Sequence, residues 1–259
     1  MTRGFYYVIG AQTFSALADN ALFIAAIALI QQLSGPDWMA SIMKWWVAVG
    51  YVVLAPYVGA FADTFPKGRV MLWTNTLKVC GCGLMYFHGA FGLAEYEQIA
   101  LVCCAFAVVG IGAAAYSPAK YGIITEMLAP ADLVKGNSWI EGMTVLSIIL
   151  GAVLGGVLIS PPVASWLLGI PAIGLLASSP AEAAIVVISL LYAVAAYLNI
   201  KIPDSGVRYA RQSIHPLALN REFFRYVLVL WRDKLGQISL ATTTLFWGVS
   251  GNLRYIVLA

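Results

Sequence analysis

Along this chain an apolar run of about 20 residues recurs six times, and that is the length a helix needs to cross roughly 30 Å of hydrocarbon. The runs extend from about Phe5 to Ile30, Ile42 to Phe61, Val70 to Phe91, Ile99 to Tyr116, Trp139 to Ile159 and Ala183 to Ile200. Inside a bilayer no water is available to bond free backbone groups, so runs of this length must close their hydrogen bonds within themselves, as helices. The expected fold is all-α, a polytopic membrane helix bundle. Composition agrees: 61% of the 259 residues are hydrophobic and 10% charged, against about 25% charged in a soluble domain. Too few charged side chains remain to coat a water-facing surface.

The first run is as long as a full span, and no small-residue cleavage site follows a short apolar core, so it reads as a retained helix rather than a leader. A further apolar helix begins near Ile238 and is still running at Ala259, so the chain reads as part of a longer protein. The expected organisation is a six-helix bundle over residues 1–201, a basic cytoplasmic linker over 202–236, and the start of a seventh span over 237–259. A six-helix half, a basic linker and a further helix is the layout of a transporter built from two parallel six-helix repeats.

Net charge is +3, too small for nucleic-acid binding, but its distribution sets an orientation. Arg3, Lys67, Arg69, Lys120, Lys135 and Lys201 fall on one side of the bundle and Lys44 on the other. Positive charge is retained on the cytoplasmic side, which places the N-terminus there. The linker continues the bias with Arg208, Arg211, Arg221, Arg225, Arg232 and Lys234 against Asp204, Glu222 and Asp233. Between Leu219 and Trp231 basic and apolar residues alternate as they do in a helix lying on an anionic leaflet, although a solvated linker fits the same composition. Residues 161–180 are apolar but interrupted by Pro161, Pro162, Pro171 and Pro180. They are expected to form an outer-face loop with an interfacial or re-entrant piece, because those prolines would break a regular span.

Charges inside the spans are the candidates for function, since an ionised side chain at mid-helix costs about 2.5 to 3.5 kcal/mol and must face protein or water. Asp19, with Asn20 beside it and Gln12 two turns earlier, can hold a cationic head group, a proton or an arginine. Arg254 in the seventh helix is its expected partner, since helices one and seven of parallel repeats occupy equivalent places beside a central cavity. Lys120 closes the fourth span and Glu141 opens the fifth; either lines the cytoplasmic end of a cavity or snorkels to the interface. Lys78, about two turns deep in the third span, is given a structural role. Between spans two and three, Gly59, Asp63, Lys67 and Arg69 make a tight turn in which the glycine permits close helix approach and Asp63 pairs across the interface between halves.

In the fifth span Gly142, Gly151, Gly155 and Gly156 line up, the last three as a small-residue packing face. Cys80, Cys82, Cys103 and Cys104 lack metal-site spacing and read as buried apolar residues; His88 and His215 stand alone in loops. No phosphate-cradling loop, nucleophile with a base or cofactor motif is present in the sequence, so nothing argues for an enzyme or a cofactor.

The loop from Gly59 to Arg69 resembles the signature loop between helices two and three of the major facilitator superfamily. Within that superfamily, the segments Ser15 to Phe23, Ala55 to Gly59, Gly112 to Gly122 and Leu245 to Gly248 resemble the bacterial lysophospholipid transporters, and the similarity spans nearly the whole chain. The resemblance implies an inner-membrane flippase that moves lysophosphatidylethanolamine and related lysolipids from the outer to the inner leaflet, where an acyltransferase/acyl-carrier-protein synthetase re-acylates them. It implies that Asp19 and Asn20 engage the head group, that Arg254 is their counterpart, that Lys120 and Glu141 line the polar path, and that Gly59, Asp63, Lys67 and Arg69 serve a cytoplasmic gate. The few polar groups along an otherwise apolar path suit a one-chain lipid better than a sugar or peptide. The alternative is a proton-coupled small-molecule exporter of the same superfamily, with Asp19 as the protonation site; Gly156 stands where the antiporter pattern has proline. A third reading is a half-bundle that acts only in assembly with another chain.

Overall fold

The structure is a computed structural model that describes residues 3–36, 38–209 and 215–258, with side chains described for all of these except 40, 41, 44, 46 and 250–258. Lys44 and Arg254 are among those excepted, and Arg211 lies outside the described residues. Every regular element described is helical: α1 (Arg3–Gln32), α2 (Trp38–Thr64), α3 (Lys67–Tyr86), α4 (Glu95–Met127), α5 (Leu133–Ile159), α6 (Pro161–Gly169), α7 (Pro171–Gly174), α8 (Pro180–Ile200), α9 (Pro216–Arg232) and α10 (Lys234–Leu258). Two compact units result, one reaching Arg211 and the other from Gln212 to Ala259.

In the first unit α1 is the central helix and packs against α5, α8 and α4, while α3 lies between α4 and α8, and α2 rests on α4. Five helical stretches among the described residues are long and apolar enough to cross a membrane: Arg3–Gln32, Val47–Thr64, Glu95–Met127, Pro130–Ile159 and Pro180–Ile200. Helix α3 is long enough but not apolar enough, because Arg69, Asn75 and Lys78 interrupt it. Its fold resolves the difficulty: Thr74, Asn75 and Lys78 turn inward and are buried, while Trp73, Leu77 and Leu84 are exposed on the outside of the bundle.

Lipid gives helices little hydrophobic reason to associate, so close backbone approach has to supply the contact. Gly151 and Gly155 do this on α5. A Cβ at Gly151 would stand 2.5 Å from the Leu17 carbonyl oxygen, and one at Gly155 would stand 2.8 Å from that of Ala21. Gly156 and Gly142 do not belong to this face, since a Cβ on either meets nothing within 4 Å. One residue turns a helix by about 100°, which carries Gly156 off the seam. The α1–α5 contact is fastened nearer the N-terminus of α1 by Gln12, whose Nε2 donates to the Ile140 carbonyl at 3.1 Å and to Thr144 Oγ1.

The prolines after α5 start helices rather than break one. Pro161, Pro171 and Pro180 each stand at the first position of α6, α7 and α8, where the missing N–H would have no partner anyway. Ser179 caps α8 by accepting from the Glu182 N–H at 3.3 Å, and the Glu182 carboxylate accepts in return from the Ser178 N–H at 2.7 Å. Ala164 and Leu167 of α6 are buried in the core, and the Tyr86 hydroxyl donates to the Leu176 carbonyl, so this segment is folded onto the bundle.

Two further expectations change. Of the cysteines only Cys82 is buried; Cys80 and Cys104 are exposed on the bundle surface and Cys103 is intermediate. Cysteine is apolar enough for a surface that meets lipid, so an apolar neighbourhood in sequence does not imply burial. His88 is buried, in a 3-10 turn that follows α3, with Nδ1 3.1 Å from the Met85 carbonyl oxygen.

Candidate functional site

Asp19 sits midway along α1, with its side chain 29% exposed, and its partner is Lys78 of α3. The Lys78 ammonium lies 2.8 Å from Asp19 Oδ1 and 2.9 Å from Oδ2. It also donates to Ser15 Oγ at 2.9 Å, and Ser15 in turn donates to Asn75 Oδ1 at 2.7 Å. From α8 the Tyr192 hydroxyl donates to Asp19 Oδ1 at 2.6 Å. The ammonium lies 5.2 Å from the centroid of the Tyr116 ring and 5.4 Å from that of Tyr192, within cation–π range. Four helices, α1, α3, α4 and α8, thus converge on one ion pair.

The geometry explains why Lys78 can be 1% exposed. An isolated ammonium in the membrane interior would be severely destabilising, but here a carboxylate, a hydroxyl and two aromatic faces replace its water. Gly112 makes room for it: a Cβ there would stand 2.9 Å from Lys78 Cγ and 3.0 Å from the Thr74 carbonyl oxygen. The Asn75 Nδ2 and the Tyr116 hydroxyl are buried with no hydrogen-bond partner in the protein. Such groups are usually met by water or ligand, so the cluster retains polar capacity beyond its own ion pair.

Other expected site residues are distributed differently. Asn20 donates from Nδ2 to the Ala16 carbonyl of its own helix at 2.9 Å, and its Cβ stands against Gly151. Lys120 is buried, its ammonium 4.2 Å from the centroid of the Tyr121 ring. The Tyr121 hydroxyl donates to Glu141 at 2.6 Å, which links Lys120, Tyr121 and Glu141 as a second polar group on α4 and α5. The Arg254 side chain lies outside those described; among the described residues Lys78 is the cation paired with Asp19.

At the end of the bundle where α2 meets α3, Asp63 pairs with Lys67 at 3.0 Å within the same turn, and Lys67 pairs with Glu126 of α4 at 3.2 Å. Lys67 and Glu126 are 3% and 4% exposed. Gly122 gives the lysine its path, since a Cβ there would stand 2.4 Å from Lys67 Cε. Ser205 donates to Glu126 Oε2 at 2.5 Å, and the Tyr209 ring lies 4.4 Å from the Lys67 ammonium, so the segment after α8 is tied to the same ion pairs. Arg69 is exposed and borders a cavity of about 300 Å³ with Asn199 and Asp204. Gly59 makes no close contact in this bundle: a Cβ on it would meet nothing within 4 Å.

Two partners of these ion pairs went unread in the sequence, Tyr192 and Glu126, which carry no local pattern that marks them; Lys78, given a structural role, was not matched with Asp19. Its depth held a signal: Lys78 lies about 16 Å along α3 and Asp19 about 24 Å along α1, in helices that start from one face, a difference of about 8 Å that the lysine and aspartate side chains span together.

Residues 8–258 match the model of the Major Facilitator Superfamily. The chain is 41% identical over 257 residues to the lysophospholipid transporter LplT of Yersinia enterocolitica serotype O:8 / biotype 1B, an alignment that takes in 99% of this chain and 56% of that relative. It is 39% identical, with the same coverage, to the lysophospholipid transporters LplT of Yersinia pestis (strain Pestoides F) and Yersinia pseudotuberculosis serotype O:3 (strain YPIII). The chain thus spans about half the length of the curated relatives it matches. With a family model over nearly its whole length and a helical bundle that buries charge in its interior, the chain belongs to the major facilitator superfamily.

Proposed function

We propose that this chain forms the first half of a transporter, rather than an enzyme, that moves lysophospholipids across the bacterial inner membrane. The observation that carries the reading is the Asp19–Lys78–Tyr192 cluster, a polar centre with one partly exposed carboxylate midway along the bundle, in a chain similar throughout to lysophospholipid transporters. A one-chain lipid needs few polar contacts along its path, and the carboxylate face of Asp19 left open by Lys78 suits a cationic or hydroxyl-bearing head group. Lys120, Glu141 and Arg254 would complete the polar path, and Asn20 would act by seating α1 on α5. Asp63, Lys67 and Arg69, with Glu126, would act at the cytoplasmic end, with the N-terminus on that side by the distribution of lysine and arginine. Transport would run from outer to inner leaflet, and an acyltransferase/acyl-carrier-protein synthetase would consume the lysolipid delivered there.

The experiment expresses the full-length protein from its gene in cells lacking lysolipid uptake and follows labelled lysophosphatidylethanolamine into re-acylated phospholipid. Restored uptake that survives collapse of the proton gradient supports the reading. No uptake, with gradient-dependent efflux of small cations instead, would move the assignment to an exporter.

A further inference from the structure

Helix α9 is unlike the spans: it mixes Arg221, Arg225 and Arg232 with nine large apolar side chains in 17 residues, and none of its residues is buried. At about 100° per residue eight of these nine apolar side chains occupy one broad arc that also takes in Asn220, with Val229 outside it, and the arginines fall within about 40° of one another along one edge. Glu222 and Asp233 lie beyond the opposite edge. Leu219 and Phe223 at the far side of the arc are half-buried while Leu230 between them is 48% exposed, and Leu217, Phe224, Leu228 and Trp231, next to the arginines, are 73%, 62%, 52% and 59% exposed. An exposed apolar stripe bordered by cations, with the anions turned away, has the charge pattern of a surface that meets acyl chains and phosphates together.

We propose that α9 docks lengthwise on the anionic leaflet of the membrane that the bundle spans, with the Leu217, Phe224, Leu228 and Trp231 stripe at the acyl boundary and Arg221, Arg225 and Arg232 on lipid phosphates. The linker is then a membrane-bound strap whose attachment depends on anionic lipid. Its occupant is lipid and not protein because the exposed stripe is complemented by cations only, and Trp231 and Tyr226 are residues that favour the head-group level.

The test uses the full-length protein with its native cysteines replaced and an environment-sensitive fluorophore on Leu228→Cys, in nanodiscs. In discs with about 30% phosphatidylglycerol the probe is shielded from iodide and quenched by a lipid-borne nitroxide. Arg221→Gln, Arg225→Gln and Arg232→Gln together lower the docking equilibrium about 100-fold, at about fivefold per arginine. Raising salt to about 0.5 M releases the unmodified helix from the same discs, an arm that requires no variant to fold. A probe shielded equally in pure phosphatidylcholine and in the glutamine variant would mean, if the nitroxide still quenches it, that docking needs no anionic lipid, and, if it does not, that a protein surface covers the stripe. A probe open to iodide throughout would mean that nothing does. Each of these results overturns the proposal.

Discussion

Replacing Asp19 by asparagine and Lys78 by methionine, singly and together, tests the ion pair that organises the bundle. In Asp19→Asn the ammonium of Lys78, 1% exposed, loses its counter-charge and keeps only neutral partners: Ser15 Oγ, two aromatic faces and the amide oxygen at position 19. Stranding a buried charge in this way costs about 3 to 5 kcal/mol. Lys78→Met strands a carboxylate that is 29% exposed and still accepts from Tyr192, so its cost is lower, about 1 to 3 kcal/mol. The double variant strands neither charge, and its cost is expected below about 2 kcal/mol, well under the sum of the singles. The shift per kcal/mol shrinks as unfolding entropy grows with chain length, so in a full-length protein as long as the chain's relatives 1 kcal/mol moves Tm by about 1 to 2 °C; Asp19→Asn lowers Tm by about 3 to 10 °C and the double variant by less than about 4 °C. Thermal unfolding of the purified full-length protein, followed by tryptophan fluorescence, reads this directly. Additive losses, with the double variant as unstable as both singles combined, would refute an ion pair between these residues.

Gly151→Ala and Gly155→Ala push a methyl into the α1 backbone and each cost about 1 to 3 kcal/mol, whereas Gly156→Ala, with open space at its Cβ, is neutral or stabilising by up to about 1 kcal/mol; three melting curves separate the faces of α5. Glu126→Ala leaves Lys67 buried with Asp63 as its one remaining carboxylate and costs about 2 to 3 kcal/mol, while Asp63→Ala, whose carboxylate is 40% exposed, costs less than about 1 kcal/mol; the reverse order of Tm values would contradict the geometry. In the segment after α8, the hydrogen bond from Arg208, with that from the Gly206 N–H, holds Asp204 down at about 2. Because its folded value is depressed, any contribution of this clip is present above the ordinary 3.8 and is lost as pH falls through about 2. A carboxyl-carbon NMR titration should find that midpoint, and Arg208→Ala should return it towards the ordinary value.

The spans were legible because lipid forces their length and polarity, and all six runs found their helices to within a few residues at most ends. Helix α3 was the hardest to read, since its outer face alone meets lipid and Asn75 and Lys78 serve the interior. The proline-rich segment was read correctly as no regular span, but not as helix starts, because the first-position role of proline depends on where the preceding helix stops. Asp19 was legible as a charge within a span by its cost in hydrocarbon. Its partner was not, because which of several membrane cations meets it is decided by helix packing, here the placing of α3 between α4 and α8 and the space left by Gly112. The same holds for Glu126, which becomes the partner of Lys67 only once α4 lies beside the turn between α2 and α3. The glycines of α5 were half legible: their spacing announced a packing face, but only the contact with α1 separates Gly155 from Gly156.

The most direct test of the transport reading is lysophosphatidylethanolamine uptake by the full-length protein carrying Asp19→Asn with Lys78→Met, compared with the unmodified protein at equal amounts of folded material. The pair removes the charges of the cluster while leaving the bundle intact. Uptake should fall to background with Tm within about 4 °C of the unmodified protein. Uptake at the unmodified rate in a folded double variant would contradict the assignment of this cluster as the place where the head group is handled.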